Sequence, residues 1–125
     1  MIAGTIYALK CTCHPDEPIK YIGKTTAGQK NRYDDHVFMA QCGSPAPVHY
    51  WMREHGTTNV ESILVETITD TEPHAIDIAE GEWIRYVREA GVNLLNMVTP
   101  AYGRPNRSLP PVARTARTNA LVDLL

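Results

Sequence analysis

The chain has 125 residues, of which 43% are apolar, and a formal net charge of −2, which is typical of one globular domain with a modest core. No run of about 18 apolar residues occurs, and the N-terminus lacks the pattern of a signal peptide, so we expect neither a membrane span nor secretion. The cysteines Cys11, Cys13 and Cys42 have no disulfide-framework spacing, which predicts reduced thiols and a cytoplasmic location.

Two strands are predicted near the N-terminus. Residues 4–11 and 19–23 alternate apolar and polar side chains and are rich in β-forming residues. The segment 12–18 between them contains two prolines and has the composition of a turn. We therefore expect antiparallel neighbours that bring Tyr7 close to Tyr21.

Two helices are predicted after these strands. Thr25 or Thr26 can cap a helix that runs to about Gln41. Residues 47–55 have apolar side chains at helical spacing, and Gly56 is expected to end this second helix.

A third strand and a third helix complete the predicted domain. Residues 60–68 form the strand, and the continuous apolar run at 63–65 indicates a central position covered on both faces. The helix spans 73–90, with Thr71 as its cap and Pro73 in its first turn. The order β, β, α, α, β, α predicts an α+β fold in which helices pack on a small sheet.

The predicted domain covers residues 1–98, and a tail follows at 99–125. The tail has four prolines, four arginines and one aspartate, whereas residues 41–98 have three basic against nine acidic side chains. We interpret the tail as a linker or as a non-specific tether for an anionic partner.

Glu80 is singled out by the helical periodicity of segment 73–90. On a wheel of about 100° per residue, four apolar residues form one stripe: Ile76, Trp83, Ile84 and Val87. Glu80 falls in the middle of this stripe, whereas Glu82 falls on the opposite side and is expected to be a solvated surface charge. Because a carboxylate in a core-facing stripe is costly unless it is paired, Glu80 is expected to bind a metal ion or to form a buried salt bridge.

Arg32 and His36 are four residues apart on the first predicted helix and therefore share a face. Tyr33, Val37 and Ala40 indicate the core side of this helix. The pair is expected at the boundary between core and solvent, either as exposed side chains or as residues that line a site.

The chain resembles the GIY-YIG nuclease family from Gly4 to about Met97. The two triplets that carry the resemblance are Thr5-Ile6-Tyr7, with Thr5 where the family name has Gly, and Tyr21-Ile22-Gly23. The polar residues that follow in the family's order are Arg32, His36, Glu80 and Asn96. The apolar pairs Trp83-Ile84 and Leu94-Leu95 also match the family's positions after its carboxylate and before its asparagine.

The resemblance implies a three-stranded antiparallel sheet flanked by helices, and hydrolysis of DNA phosphodiester bonds. It implies one divalent metal ion, normally Mg²⁺, with Glu80 as its ligand. Arg32 would contact the scissile phosphate, His36 would assist proton transfer, and Asn96 would brace the site.

The two tyrosines would activate and position the attacking water. We expect Tyr7 to accept the proton and Tyr21 to position the water, but family members differ in this respect, and the reverse assignment stays open. A phenol needs a nearby cation to act as a base at neutral pH, for which Lys24 and Arg32 are candidates. Lys24 is also a candidate for DNA phosphate contact.

The expected function is a metal-dependent endonuclease acting on duplex DNA. It would be similar to homing endonucleases or a small phage-type nuclease, and would act in the cytoplasm of a bacterial or phage-infected cell. We expect a monomer or weak dimer with low intrinsic affinity for DNA, because the middle of the chain is acidic. The alternatives are a non-catalytic DNA-binding module that retains the nuclease fold, and a structural or protein-interaction domain.

Two further patterns are expected to have no catalytic role. The Cys-x-Cys-His segment at 11–14 with Cys42 does not have the spacing of a common zinc ligand pair, so no zinc site is predicted. His49 and His55 flank Trp51 on the short helix and are expected to be surface or packing residues.

Overall fold

The structure is a computed structural model that describes residues 2–13, 17–70 and 75–96. The elements follow in this order: β1 at Ile2–Cys11, β2 at Tyr21–Thr25, α1 at Gln29–Gln41, α2 at Pro47–His55, β3 at Val60–Asp70 and α3 at Ala75–Glu89. The predicted α+β class with a three-stranded antiparallel sheet is confirmed. The predicted cap Thr71, Pro73 and the tail 99–125 lie outside the described residues.

Strand β1 is the centre of the sheet, whose strand order is β2-β1-β3. The prediction that β3 would be central is therefore wrong. Ile6, Tyr7, Ala8 and Leu9 of β1 are each at most 1% exposed, whereas residues 63–64 of β3 are partly buried. An apolar run reports how well the two faces of a strand are covered, while central position depends on hydrogen-bonded neighbours at both edges. Composition does not report that second property.

The side chains of β1 alternate between two hydrophobic clusters, one on each face of the sheet. Ile6 and Ala8 belong to a cluster with the buried residues of α3. Tyr7 and Leu9 belong to a cluster with the buried residues of α1 and α2. Helix α3 therefore covers one face, α1 and α2 cover the other, and Tyr7 lies on the α1 side.

Helix α1 begins at Gln29 and not at the predicted Thr25 or Thr26 cap. Thr25 is the last residue of β2, and its Oγ1 accepts a hydrogen bond of 3.0 Å from the backbone N–H of Ala27. This forms a local turn in place of a helix cap. Gly28 then precedes the helix with a φ of 102°, which glycine adopts without a steric cost.

The predicted ends of α1 and α2 agree with the structure, and α3 ends at Glu89, one residue before the predicted Ala90. Helix α1 ends at Gln41, and α2 ends at His55 with Gly56 following it. Across the part of the chain that the structure describes, no helix combines the length and the apolar character needed to span a membrane.

Candidate active site

A cavity of about 300 Å³ opens beside β2, between α1, the start of α2, and α3. Its polar lining consists of Tyr21, Arg32, His36, His49, Glu80 and Asn96. Five of the six residues predicted for the site therefore line one cavity, although they come from segments up to 75 positions apart, between Tyr21 and Asn96. The sixth residue, Tyr7, lies behind the cavity wall and is 1% exposed.

Tyr7 reaches this position because of the pairing between β1 and β2. Its Cα lies opposite Gly23, and Leu9 lies opposite Tyr21. A Cβ placed on Gly23 would overlap the ring and hydroxyl of Tyr7, so the phenol can cross β2 because residue 23 has no side chain. The rings of Tyr7 and Tyr21 lie 6.4 Å apart, with 39° between their planes.

The position of His36 corrects the expectation that it lies at the boundary between core and solvent. His36 is 1% exposed, whereas Arg32, one turn earlier, keeps a side chain that is 36% exposed. Buried imidazoles need partners for both ring nitrogens. His36 has them: its Nε2 lies 2.7 Å from the Tyr7 hydroxyl, and its Nδ1 lies 3.0 Å from His49 Nε2.

These contacts continue into a hydrogen-bonded chain of four side chains. His49 Nδ1 lies 2.7 Å from Ser44 Oγ, so the chain runs from Tyr7 through His36 and His49 to Ser44. Ser44 Oγ also accepts a hydrogen bond of 3.3 Å from the backbone N–H of Ala46. The chain connects a fully buried phenol to a partly buried hydroxyl.

His49 lines the cavity as well, which the sequence does not predict. It is 5% exposed, so of the two expected positions, at the surface or packed in the core, it has the packed one. His49 lies at the edge of the apolar stripe of α2 that contains Val48 and Met52, whereas Glu80 lies in the middle of the stripe of α3. The periodicity of α2 therefore does not distinguish His49 as the periodicity of α3 distinguishes Glu80.

The two histidines of this hydrogen-bonded chain, His36 and His49, are neutral near pH 7. Burial, the Arg32 charge and His49 lower the pKa of His36 to about 4. Burial, then Arg32 and Arg53, lower the pKa of His49. A neutral imidazole has one donor and one acceptor nitrogen. Each histidine can therefore accept a proton at one nitrogen and release another at the opposite nitrogen.

Both phenols are protonated at neutral pH in this arrangement. Burial, followed by the proximity of Tyr21, raises the pKa of Tyr7. Burial, followed by the charge of Glu80, raises the pKa of Tyr21. The charge and hydrogen bonding of Arg32 oppose part of both shifts. The Tyr7 hydroxyl and His36 Nε2 therefore share one hydrogen bond, whose donor is set by the tautomer of the imidazole.

Glu80 extends from α3 to the cavity with a side chain that is 13% exposed. Burial raises the pKa of its carboxyl, and Asp77 adds to the rise, while Lys24 and Arg32 oppose it. Lys24 Nζ lies 3.8 Å from Glu80 Oε1 and forms an ion pair with Asp77. Lys24 thus faces α3 and is not among the residues that line the cavity.

Glu82 does not have the exposed position that the helical wheel predicted for it. It is 2% exposed, and residues 81–84 are buried without interruption. Four consecutive buried residues cover most of the circumference of a helix. The wheel assumed one solvent-facing side, which α3 does not have at this level.

Asn96 braces β2 through its side-chain amide. Its Nδ2 donates to the carbonyl of Ile22 at 2.6 Å, and its Oδ1 accepts from the N–H of Ile22 at 3.1 Å. The backbone N–H of Leu95 donates to the carbonyl of Lys20 at 2.6 Å, and Arg88 donates to the carbonyl of Asn96 at 2.7 Å. The backbone groups of residues 20 and 22, on either side of Tyr21, are thus hydrogen-bonded at the outer edge of β2. These bonds hold that strand in place beside the cavity.

The donors of the cavity suit a hard divalent cation such as Mg²⁺. Among the described residues that line it, Glu80 supplies the carboxylate, and burial raises the pKa of this group more than Lys24 and Arg32 lower it. Mg²⁺ is commonly held by one or two carboxylates, with water and phosphate oxygens in the remaining positions. One carboxylate beside an open cavity therefore fits a site for one ion.

Comparisons of this chain with protein-family models, with curated proteins and with solved structures found no match.

Proposed function

We propose that this protein is a divalent-metal-dependent endonuclease that hydrolyses phosphodiester bonds in DNA. The observation that supports it is the meeting of a guanidinium, a carboxylate, a phenol and two imidazoles around one cavity. A phosphodiester requires positive charge for its oxygens, an activated water and a route for the proton. The GIY-YIG resemblance names the same residues independently of the cavity.

Arg32 is the residue proposed to hold the scissile phosphate. It lines the cavity, and its side chain remains 36% exposed, so its guanidinium is accessible to a substrate. Its ion pair with Asp35 is long, at 4.0 Å, and leaves donors for phosphate oxygens. A planar guanidinium can form two parallel hydrogen bonds to a phosphate as its charge increases.

Tyr21 and not Tyr7 is proposed to touch the attacking water. Tyr21 lines the cavity, whereas the hydroxyl of Tyr7 is committed to His36 at 2.7 Å inside the protein. Tyr7 is then a positioning residue, which holds His36 in the orientation that faces the cavity. Arg32, together with a bound cation, would favour the phenolate of Tyr21, which could then accept one proton from the water. The hydrogen-bonded chain through His49 and Ser44 would hold His36 beside it.

Glu80 is proposed to hold the metal ion. A bound Mg²⁺ supplies positive charge that stabilises the phosphate and the leaving oxygen, and lowers the pKa of neighbouring acids. The side chain of Glu80 is 13% exposed, so its carboxylate is poorly solvated, and a cation bound there would offset the cost of burying its charge. The expected products are 5′-phosphate and 3′-hydroxyl ends.

The test is cleavage of supercoiled plasmid DNA with Mg²⁺ by the full chain and by Glu80→Gln. We expect Glu80→Gln to lose activity by on the order of 10³-fold or more, because it loses the charge that holds the ion. Its melting temperature should stay equal or rise, since burial disfavours the charged form of this side chain. Glu89→Gln is the matched control, because Glu89 is an exposed carboxylate on the same helix.

The outcomes separate the proposed function from its main alternative. Cleavage by Glu80→Gln at the wild-type rate would contradict the assignment. Salt-sensitive binding of duplex DNA without cleavage, in wild type and with Mg²⁺ present, would instead indicate a DNA-binding module that retains this fold. Glu82→Gln is unsuitable as a control because Glu82 is buried.

A further inference from the structure

A second cluster of metal-binding side chains lies at the end of β1, away from the cavity. It consists of Cys11, Cys13 and His55, whose donor atoms all lie within 4.8 Å of one another. His55 Nδ1 is 3.1 Å from Cys11 Sγ and 3.6 Å from Cys13 Sγ. The two cysteines form a disulfide in the structure, which corrects the expectation that all thiols are reduced.

The cluster is held together by contacts that do not depend on the disulfide. Thr12, between the two cysteines, donates to the carbonyl of Asn59 from its backbone N–H at 2.6 Å and from its Oγ1 at 3.0 Å. Asn59 Nδ2 in turn donates to the carbonyl of His55 at 2.8 Å. The ring of His55 packs 5.4 Å from that of Trp51. The end of β1 would therefore stay beside the end of α2 after reduction.

The distances from the histidine nitrogen to the two sulfur atoms match those of zinc ligands, whereas the sulfur atoms are bonded to each other and must separate on reduction before both can bind one ion. Zn²⁺ is bound tetrahedrally by cysteine sulfur at about 2.3 Å and histidine nitrogen at about 2.0–2.1 Å, which places the sulfur and nitrogen about 3.5 Å apart. The observed distances from nitrogen to sulfur, 3.1 and 3.6 Å, bracket that value. Two thiolates and one imidazole also have the softness that zinc prefers over Mg²⁺. The remaining position would hold a water molecule.

We propose that the reduced protein binds one Zn²⁺ through Cys11, Cys13 and His55 Nδ1. A dithiol reductant passes two electrons and two protons to the disulfide, which gives two thiols on the protein and a disulfide in the reductant. Zn²⁺ then displaces both thiol protons and binds the two thiolates and the neutral imidazole. The oxidised and the zinc-bound forms exclude each other, because both need the same two sulfur atoms.

The bound ion would join the end of β1 to the end of α2, the helix that carries His49. The sequence did not reveal this site, because its third ligand follows Cys13 by 42 positions on a helix whose histidines fit packing roles. The proposal is independent of nuclease activity, and its test measures metal binding.

The experiment is titration of the reduced, chelator-stripped full chain with Co²⁺, which reports thiolate ligands by absorption. We expect a thiolate-to-cobalt charge-transfer band that saturates at one equivalent and is removed by Zn²⁺. Cys13→Ser, an exposed position whose loss spares the core, should weaken binding by on the order of a hundredfold or more, since even outer-shell changes cost 10–100-fold. His55→Gln should weaken it similarly, and Cys42→Ser, an exposed cysteine outside the cluster, should bind like wild type.

Thermal unfolding gives a second readout of the same proposal. Zn²⁺ should raise the melting temperature of the reduced wild type and of Cys42→Ser, but not that of Cys13→Ser, because an ion that binds the folded state stabilises it. Absence of the charge-transfer band in wild type with three titratable thiols would overturn the proposal. So would equal affinity in Cys13→Ser, or loss of binding in Cys42→Ser.

Discussion

Tyr7 and Tyr21 carry the same functional group on neighbouring strands, but they differ in access to the cavity. Tyr7 is 1% exposed with its hydroxyl on His36, whereas Tyr21 is partly exposed and lines the cavity. The β1–β2 register produces this difference, since it places Tyr7 across Gly23 and leaves Tyr21 at the edge of the sheet. Their contributions to activity and stability should therefore separate on mutation.

Tyr21→Phe and Tyr7→Phe test this separation. Tyr21→Phe should lower kcat by about 10²–10⁴-fold, the range of acid–base groups, with little change in the free energy of unfolding. Tyr7→Phe should lower that free energy by about 1–3 kcal/mol, because His36 Nε2 loses its buried partner. Urea unfolding and plasmid cleavage measure the two effects. A larger kcat loss in Tyr7→Phe, with unchanged stability, would return the proton-accepting role to Tyr7.

Gly23→Ala tests the close approach of Tyr7 to β2. The added Cβ would overlap the Tyr7 ring, and overpacking of this kind costs about 1–3 kcal/mol. The loss should appear in the free energy of unfolding and in activity, because His36 moves with Tyr7. In a Tyr7→Leu background the same change should cost little, since the ring is absent. Additive losses in this double-mutant cycle would show that the two residues do not interact.

At the scale of elements, most of the secondary structure could be predicted, and the errors have identifiable physical causes. The positions of β1, α2 and β3 follow from apolar periodicity, which local sequence records. The central strand could not be read in this way, because pairing at strand edges is a property of the whole sheet. Glu82 was misplaced because α3 is enclosed on more sides than an amphipathic wheel assumes.

The candidate site shows the same division between local and non-local information. Glu80 was recognised because its position on α3 conflicts with the apolar stripe around it. The contacts of His49 with His36 and of His55 with the cysteines of β1 join different elements, so the sequence predicts neither of them. A contact between elements leaves no spacing pattern in the sequence. The ion pair of Lys24 with Asp77 also joins two elements, β2 and α3, and the assignment of Lys24 to DNA phosphate stays a prediction.

The packing of α1 on α2 predicts acid sensitivity that originates at His36. Its pKa is about 4 in the folded protein and about 6.5 when unfolded, so the unfolded chain binds more protons between these values. The contribution of neutral, buried His36 to stability is therefore fully present above about pH 6.5. The free energy of unfolding should fall by on the order of 3 kcal/mol as pH decreases to about 4. Urea unfolding from pH 7.5 to 4 measures this fall. His36→Gln should reduce the pH dependence, and an identical slope in this variant would exclude His36 as its source.

For the whole molecule, the arrangement of the site predicts how the proposed nuclease would cut duplex DNA. The described residues form one cavity that combines Arg32, His36 and Glu80, so one chain of such a nuclease would engage one scissile phosphate at a time. Cutting both strands then requires a second binding event or a second chain. With an acidic middle and a net charge of −2, the protein has little non-specific electrostatic attraction to keep it on DNA between the two cuts.

We therefore expect supercoiled plasmid to become nicked circles before linear DNA forms. The initial nicking rate should be proportional to protein concentration, because each chain acts alone, and added salt should slow the second cut more than the first. A time course on agarose gels at several protein concentrations measures both steps, with Glu80→Gln as the inactive reference. Linear DNA that forms without a nicked intermediate, at a rate that rises with the square of protein concentration, would show that a dimer cuts both strands together.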